Sequence, residues 1–419
     1  MTALKVAIVA RSVFPIHGTG GLERSVYDLA RHLARRDVRV TLITRTPGST
    51  VAPDAIDPRV SLRFVPYRTF PGAGRRGTTV IDRSTAYPLF GLRAGALAAQ
   101  MVERDEADIV HGFGASVLGY ARRRNSLPAP LVLNPQGLEE FGATDPGRAA
   151  LKRLGYLPLR RAVIACARRA DAVIATDRAL EPAVRSHLGV PDYKIRTIPN
   201  ALDLAEVDAL ASPEDGARLR SEAKAGPHET ILLSVGRIEE NKGFHLLAAA
   251  LAALKEHSGR LAREPWRWVI VGAGPFRGRL ERIVSDSGLA PHVQLLGRLS
   301  DRELHAWYEA ADLFVHPTLY EGSSLVTLEA MAHRRACVVT NAGGLPDKVK
   351  NGVNGWIVEA GDPSALAAAI SGALEDRQRL ARMGDAGRQI VEREFSWTSA
   401  ADLTLSLYSD LLARGSAGP

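Results

Sequence analysis

The chain reads as an α/β protein of two doubly wound domains, and three observations predict it. Its 419 residues exceed the usual size of one core, so two domains of about 200 residues are expected. Short β-branched runs alternate with Ala/Leu-rich amphipathic stretches, the pattern of a parallel sheet covered by helices. The alternation restarts after a turn-rich stretch, Ile198-Pro199-Asn200-Ala201-Leu202-Asp203. The expected division is 1–200, 201–395, and a C-terminal helix over 396–419 that packs back on the first domain.

Lys5–Ala10 predicts the first strand, Leu22–Arg35 a helix and Val38–Thr44 the second strand. The helix carries Leu22, Val26, Leu29, Ala30 and Leu33 on one face. Asp108–His111, Leu131–Asn134 and Ala172–Ala175 continue that sheet. In the second half Ile231–Gly236 is again a first strand, followed by a helix over Phe244–Glu256. Trp268–Gly272, Val293–Leu296, Leu313–His316, Ala336–Thr340 and Trp356–Val358 complete its sheet, and Trp397–Leu412 is an amphipathic helix. The glycine-rich Phe70–Thr79 is expected to be a mobile loop.

Composition excludes several classes. Cys166 and Cys337 have no metal-type spacing, which argues against a disulfide framework or a zinc site and for a reducing, cytoplasmic setting. The apolar run Val6–Ala10 stops at Arg11, too short for a signal peptide. No stretch approaches the roughly 18 apolar residues that span a bilayer. The formal charge of +8 comes with no zinc-finger, RNP or helix-turn-helix signature, so no nucleic-acid partner is expected. The segment from Gly147 to Arg169 holds seven cations, Arg148, Lys152, Arg153, Arg160, Arg161, Arg168 and Arg169, interleaved with apolar residues. Two readings stand for it, peripheral binding to an anionic membrane and a solvated helix face.

Two segments carry chemistry. In the first, a strand ending at His316-Pro317 leads to Glu321, then Gly322, Ser323, Ser324, Leu325 and Val326, and a helix through Glu329. A serine at the helix start caps it, Gly322 admits close backbone approach, and the free N–H groups favour a phosphate. In the second, Gly236 ends a strand and Arg237 and Lys242 follow, five residues apart, at the sheet edge where open α/β sheets bind ligands. A guanidinium fork and a point charge suit a diphosphate. Solvated loop cations and a helical surface glutamate are the bland alternative for each segment alone.

Together these segments resemble family 4 of the glycosyltransferases, along nearly the whole chain. The matching stretches are Gly20 to Glu23, Asp108 to His111, Ile198 to Asn200, Gly236-Arg237 with Lys242-Gly243, Gly272 to Pro275, Glu321 to Glu329, and Gly343 to Asp347. The resemblance implies two Rossmann-like domains facing a central cleft, the B-type fold, and a retaining, metal-independent transfer without cofactor from a nucleotide-sugar. UDP-sugar is favoured, GDP-sugar next, with a glycan, glycolipid or small molecule as acceptor. It implies that Arg237 and Lys242 neutralise the diphosphate, Glu329 holds the ribose, and Glu321 meets the sugar hydroxyls. Backbone around Gly322 to Val326 would touch sugar and β-phosphate, Gly20 and Gly21 would meet the phosphate, and Gly297-Arg298-Leu299 would pair with the base.

Three departures are visible. Phe113 and Gln136 stand where many relatives carry histidine, so His111 is the remaining candidate base. A leaving phosphate oxygen that takes the proton would need no such base. Ser323-Ser324 replaces a frequent Phe-Gly pair. The rivals are a non-catalytic nucleotide-sugar binder and an NAD(P)-dependent oxidoreductase built on Gly272-Ala273-Gly274-Pro275.

Overall fold

The computed structural model describes residues 3–18, 20–48, 56–69, 78–136, 138, 141, 154–222, 229–256, 261 and 264–416. The chain forms two compact units, Met1–Asn200 with Trp397–Pro419, and Ala201–Ser396. Most of the loop expected over Phe70–Thr79, residues 70–77, lies outside the described residues.

The first unit is built on strands β1 (Lys5–Val9), β2 (Arg39–Arg45), β3 (Val60–Val65), β4 (Ile109–Phe113), β5 (Leu131–Asn134), β6 (Ala172–Ala175) and β7 (Ile195–Thr197). They form one sheet in the order β3-β2-β1-β4-β5-β6-β7, all pairs parallel. Central strands are buried on both faces, as parallel sheets require, and read as continuous apolar runs. The edge strands β3 and β7 are partly exposed and carry Ser61, Arg63 and Arg196, which is why no apolar run announces them. A further helix, Thr78–Glu103, covers the sheet and tolerates Pro88 in its interior. On the first helix, Gly21–Ala34, Leu22 lies off the buried face and is 40% exposed.

The C-terminal helix, Trp397–Ser416, belongs to this unit. It packs on Gly21–Ala34, with the Trp397 and His32 rings stacked 6.0 Å apart.

The second unit has β8 (Thr230–Val235), β9 (Trp266–Val271), β10 (Val293–Gly297), β11 (Leu313–His316), β12 (Ala336–Thr340) and β13 (Gly355–Val358). Their order is β10-β9-β8-β11-β12-β13, again all parallel. The winding reverses between β8 and β11, so the chains leaving these two neighbours diverge and open a crevice at their carboxyl ends. A backbone bond from Leu202 N–H to the Phe395 carbonyl, 2.9 Å, ties the two ends of this unit together.

Candidate functional site

That crevice gathers the first cluster. Lys242, in the loop leaving β8, donates from Nζ to Glu321 Oε2 at 2.8 Å, and both side chains are 13% exposed. His316, the last residue of β11, is buried and donates from Nε2 to the same oxygen at 2.7 Å. The Gly322 N–H donates to Oε1 at 3.2 Å. Burial pushes the Glu321 carboxyl up, but the His316 and Lys242 contacts outweigh it and hold the carboxyl at about 2. Glu321 is therefore ionised at neutral pH, with its charge matched by a neighbour. In the sequence His316 is a strand end with no motif of its own. Its signal was its position, five residues before the key glutamate and next to Pro317.

The loops around this cluster interlock through glycine. Gly343 has φ +53°, and a Cβ there would stand 1.7 Å from the Glu321 carbonyl oxygen. Gly243 has φ +70°, and a Cβ would stand 1.9 Å from the Pro317 carbonyl oxygen. Both positions need a left-handed backbone and an absent side chain.

The helix following Glu321 runs over Leu325–Ala332, and Ser324 caps it by accepting from the Thr327 N–H at 3.4 Å. Gly322 is open, with nothing within 4 Å of the place a Cβ would take. Ser323 Oγ is buried without a hydrogen-bond partner, while Leu325 and Val326 are half-buried. Glu329, one turn into the helix, accepts from the Tyr308 hydroxyl at 2.8 Å. Burial, then the Glu329 charge, keep that hydroxyl protonated well beyond its usual range. The Tyr308 ring stacks on His333 at 5.3 Å and 14°. His333 is fixed in turn, donating from Nδ1 to Glu309 at 2.6 Å and accepting from His305 at 2.7 Å.

Other expected residues lie apart from this cluster. Arg237 is 68% exposed and pairs with Glu239 at 3.0 Å. Arg298 is exposed and Leu299 half-buried just beyond β10, the edge strand. In the first unit, Gly20 and Gly21 open the helix Gly21–Ala34 and are exposed. Glu23 folds back there, since a Cβ on Gly20 would lie 2.5 Å from its Oε2. A carboxylate thus stands at the helix end expected to meet phosphate.

His111 lies inside β4 and is 1% exposed. Its Nδ1 is hydrogen-bonded to the Tyr408 hydroxyl at 2.7 Å, and its ring stacks on Phe113 at 5.1 Å. Burial lowers its pKa to about 3, so the ring is neutral and a poor proton acceptor near pH 7. It lines a cavity of about 30 Å³ with Ser25, Asn134, Asn200 and Trp397, room for one or two waters.

The glycines of the oxidoreductase rival have another use. A Cβ on Gly272 would stand 1.8 Å from the Gly236 carbonyl oxygen, and one on Gly274 2.2 Å from that of Ile238. They let two strand-end loops pack backbone to backbone. Of the basic segment, Arg148, Lys152 and Arg153 lie outside the described residues. The helix Leu157–Arg169 spends Leu159, Val163 and Cys166 on the core and leaves Arg161, Arg168 and Arg169 exposed. Among the described residues no helix is long and apolar enough to cross a membrane.

Comparison with known proteins bears on both units. The profile described as "Glycosyltransferase Family 4" matches residues 19–206, and that described as "Glycosyl transferases group 1" matches residues 217–390. D-inositol 3-phosphate glycosyltransferase 2 of Catenulispora acidiphila is 28% identical over 427 residues, covering 97% of this chain and 94% of the relative. Sucrose-phosphate synthase from Thermosynechococcus elongatus superimposes with a TM-score of 0.75 at 23% identity, covering 98% of this chain and 100% of that one. HepE of Anabaena, solved in complex with UDP, gives 0.72 at 21% identity over 97% and 100% of the two chains. These structural likenesses show the B-type fold. With the two profiles following one another along the two sheets, the chain belongs to glycosyltransferase family 4 and acts on nucleotide-sugars.

Proposed function

We propose that the chain moves a sugar from a nucleoside-diphosphate sugar, UDP-sugar first and GDP-sugar next, to a hydroxyl of a glycan, glycolipid or small molecule. The observation that carries this is the Lys242–Glu321–His316 cluster at the switch point of the second sheet. Lys242 has three donors, so it can keep Glu321 and still bind a diphosphate oxygen. As the glycosidic bond breaks, negative charge grows on the diphosphate, and Lys242 with Arg237 would stabilise it. Glu321, ionised by its two partners, accepts from sugar hydroxyls, and Glu329 accepts from the ribose. The two cations supply the neutralisation that a divalent ion gives elsewhere, which is the ground for a metal-independent reaction. With His111 neutral and buried, the acceptor proton goes to the departing phosphate oxygen. Attack from the leaving-group face follows, and with it retention. A uridine base is supported by the UDP bound to HepE. The buried, unpaired Cys166 and Cys337 fit a reducing compartment.

Screening UDP- and GDP-sugars for donor hydrolysis, with products read by mass spectrometry, tests this reading. Turnover lost on Lys242→Ala and Glu321→Ala supports it. Full turnover in both variants removes the site, and tight UDP binding with no turnover on any donor favours the non-catalytic binder instead.

A further inference from the structure

The carboxyl edge of the first sheet holds charges that the transfer reading does not use. Arg11 lies two residues past β1, Arg45 ends β2, and Tyr67 lies two residues past β3. These strands are adjacent and parallel, so all three residues emerge at one edge. The Arg11 guanidinium stands over the Tyr87 ring at 4.9 Å and that of Arg45 over Tyr67 at 5.6 Å. The Tyr67 hydroxyl donates to Asp82 at 2.8 Å, and Arg11 faces the same hydroxyl.

Neither guanidinium is ion-paired among the described residues, although the Asp82 carboxylate stands nearby on the Tyr67 hydroxyl. Among the described residues no carboxylate lies within 4.0 Å of Arg11 or Arg45. Asp82 and Glu23 act on Arg45 only from further off, and Arg45 Nε is buried without a partner among the described residues. Burial and then the Arg11 charge make the Arg45 cation costly. His17 reports the same field. Its Nε2 donates to the Arg45 carbonyl at 2.8 Å, and burial with the Arg45 and Arg11 charges lowers its pKa to about 4. Two solvated surface cations would not need aromatic faces to hold them, nor bury a guanidinium nitrogen. The rings hold one face of each guanidinium and no described carboxylate pairs with its edge, and such forks match an oxyanion.

We propose that Arg11 and Arg45, held by Tyr87 and Tyr67, form a subsite for an oxyanion of the acceptor, so that the acceptor is a phosphorylated or carboxylated molecule. The inference rests on the transferase reading for the word acceptor, and on the first unit alone for the subsite.

Calorimetric titration of the full chain with inorganic phosphate, and separately with acetate, tests it. Saturating UDP is present to occupy the diphosphate positions. One oxyanion site is expected in the wild type, with the tighter of the two probes assigning phosphate or carboxylate. Arg45→Gln and Arg11→Gln should each weaken it about tenfold or more. Arg45→Lys should lose less, and Lys242→Ala should keep the site. Unchanged UDP affinity in the Arg11 and Arg45 variants shows that they are folded. An absent oxyanion site in the wild type, or full binding in Arg45→Gln, overturns the subsite. Failure of the wild type to bind UDP sinks the transferase reading instead, and titration of Lys242→Ala without UDP then still decides the subsite.

Discussion

At the carboxyl edge of the second sheet the cation already has its anion, for Lys242 rests on a Glu321 that His316 also holds. At the same edge of the first sheet, Arg11 and Arg45 rest on tyrosine rings and await a charge from outside. The two sheets are wound alike, with the reversal after the first strand of each. Similar winding has thus been given opposite electrostatic treatments. A pre-paired cation binds a ligand by sharing its donors, with little rearrangement and a preset carboxylate beside it. An unpaired one gains more from an anion, because the cost of its charge is borne until the anion arrives.

The largest effect on the paired side is expected from Lys242→Ala. Losing its charge from the leaving diphosphate should lower transfer about 10²-fold or more, measured as kcat/KM for the donor. An effect below a few-fold would make the pair structural. Gly343→Ala comes next. Its Cβ meets the Glu321 carbonyl oxygen in a left-handed backbone, so a loss of about 1–3 kcal/mol in denaturant unfolding is expected, together with weaker UDP binding. Tyr308→Phe keeps the ring on His333 and removes only the hydroxyl that orients Glu329. UDP affinity should fall by about 1 kcal/mol, while affinity for a 2′,3′-dideoxy analogue stays put. Equal losses for both nucleotides would separate Glu329 from the ribose. The smallest catalytic effect is expected on the first unit's side, from His111→Gln. Turnover should stay within a few-fold while the melting temperature drops, since the ring serves the contact with Tyr408. A collapse of kcat with unchanged stability would restore it as a base.

Glu321 also sets a pH dependence. Its folded pKa of about 2 lies below its ordinary 4.5, so the paired carboxylate stabilises the fold above the unfolded value. That contribution is lost as pH falls from about 4.5 through 2, and Glu321→Gln should flatten the acid limb of an unfolding curve over that window.

What was legible in the sequence follows a physical line. Buried parallel strands announce themselves by apolar runs, so β1, β5, β8, β11 and β12 were read to within a residue or so. Edge strands β3 and β7 mix exposed polar residues into the ladder and left no run to find. Lys242 and Glu321 were legible because each sits in a local motif at a strand end. Tyr308 was not, since its tie to Glu329 crosses from one helix to another. Arg11, Arg45 and Tyr67 come from the ends of three different strands, and only sheet order brings them together. Membership in a helix pattern also misplaced Leu22, which periodicity put on the buried face and the fold leaves in solvent.

The discontinuous make-up of the first unit has a consequence for how the chain matures. Its last helix is encoded after the entire second unit, and the His111–Tyr408 bond joins residues 297 apart. At a synthesis rate of about 5–20 residues per second, the nascent first unit waits roughly 10–40 s for that helix. During the wait the face of Gly21–Ala34 that Trp397–Ser416 covers stays open to solvent and to chaperones. The continuous second unit has no such delay and can close first. A truncation before Trp397 should therefore leave a folded second unit attached to an aggregation-prone first one, a split that limited proteolysis would display.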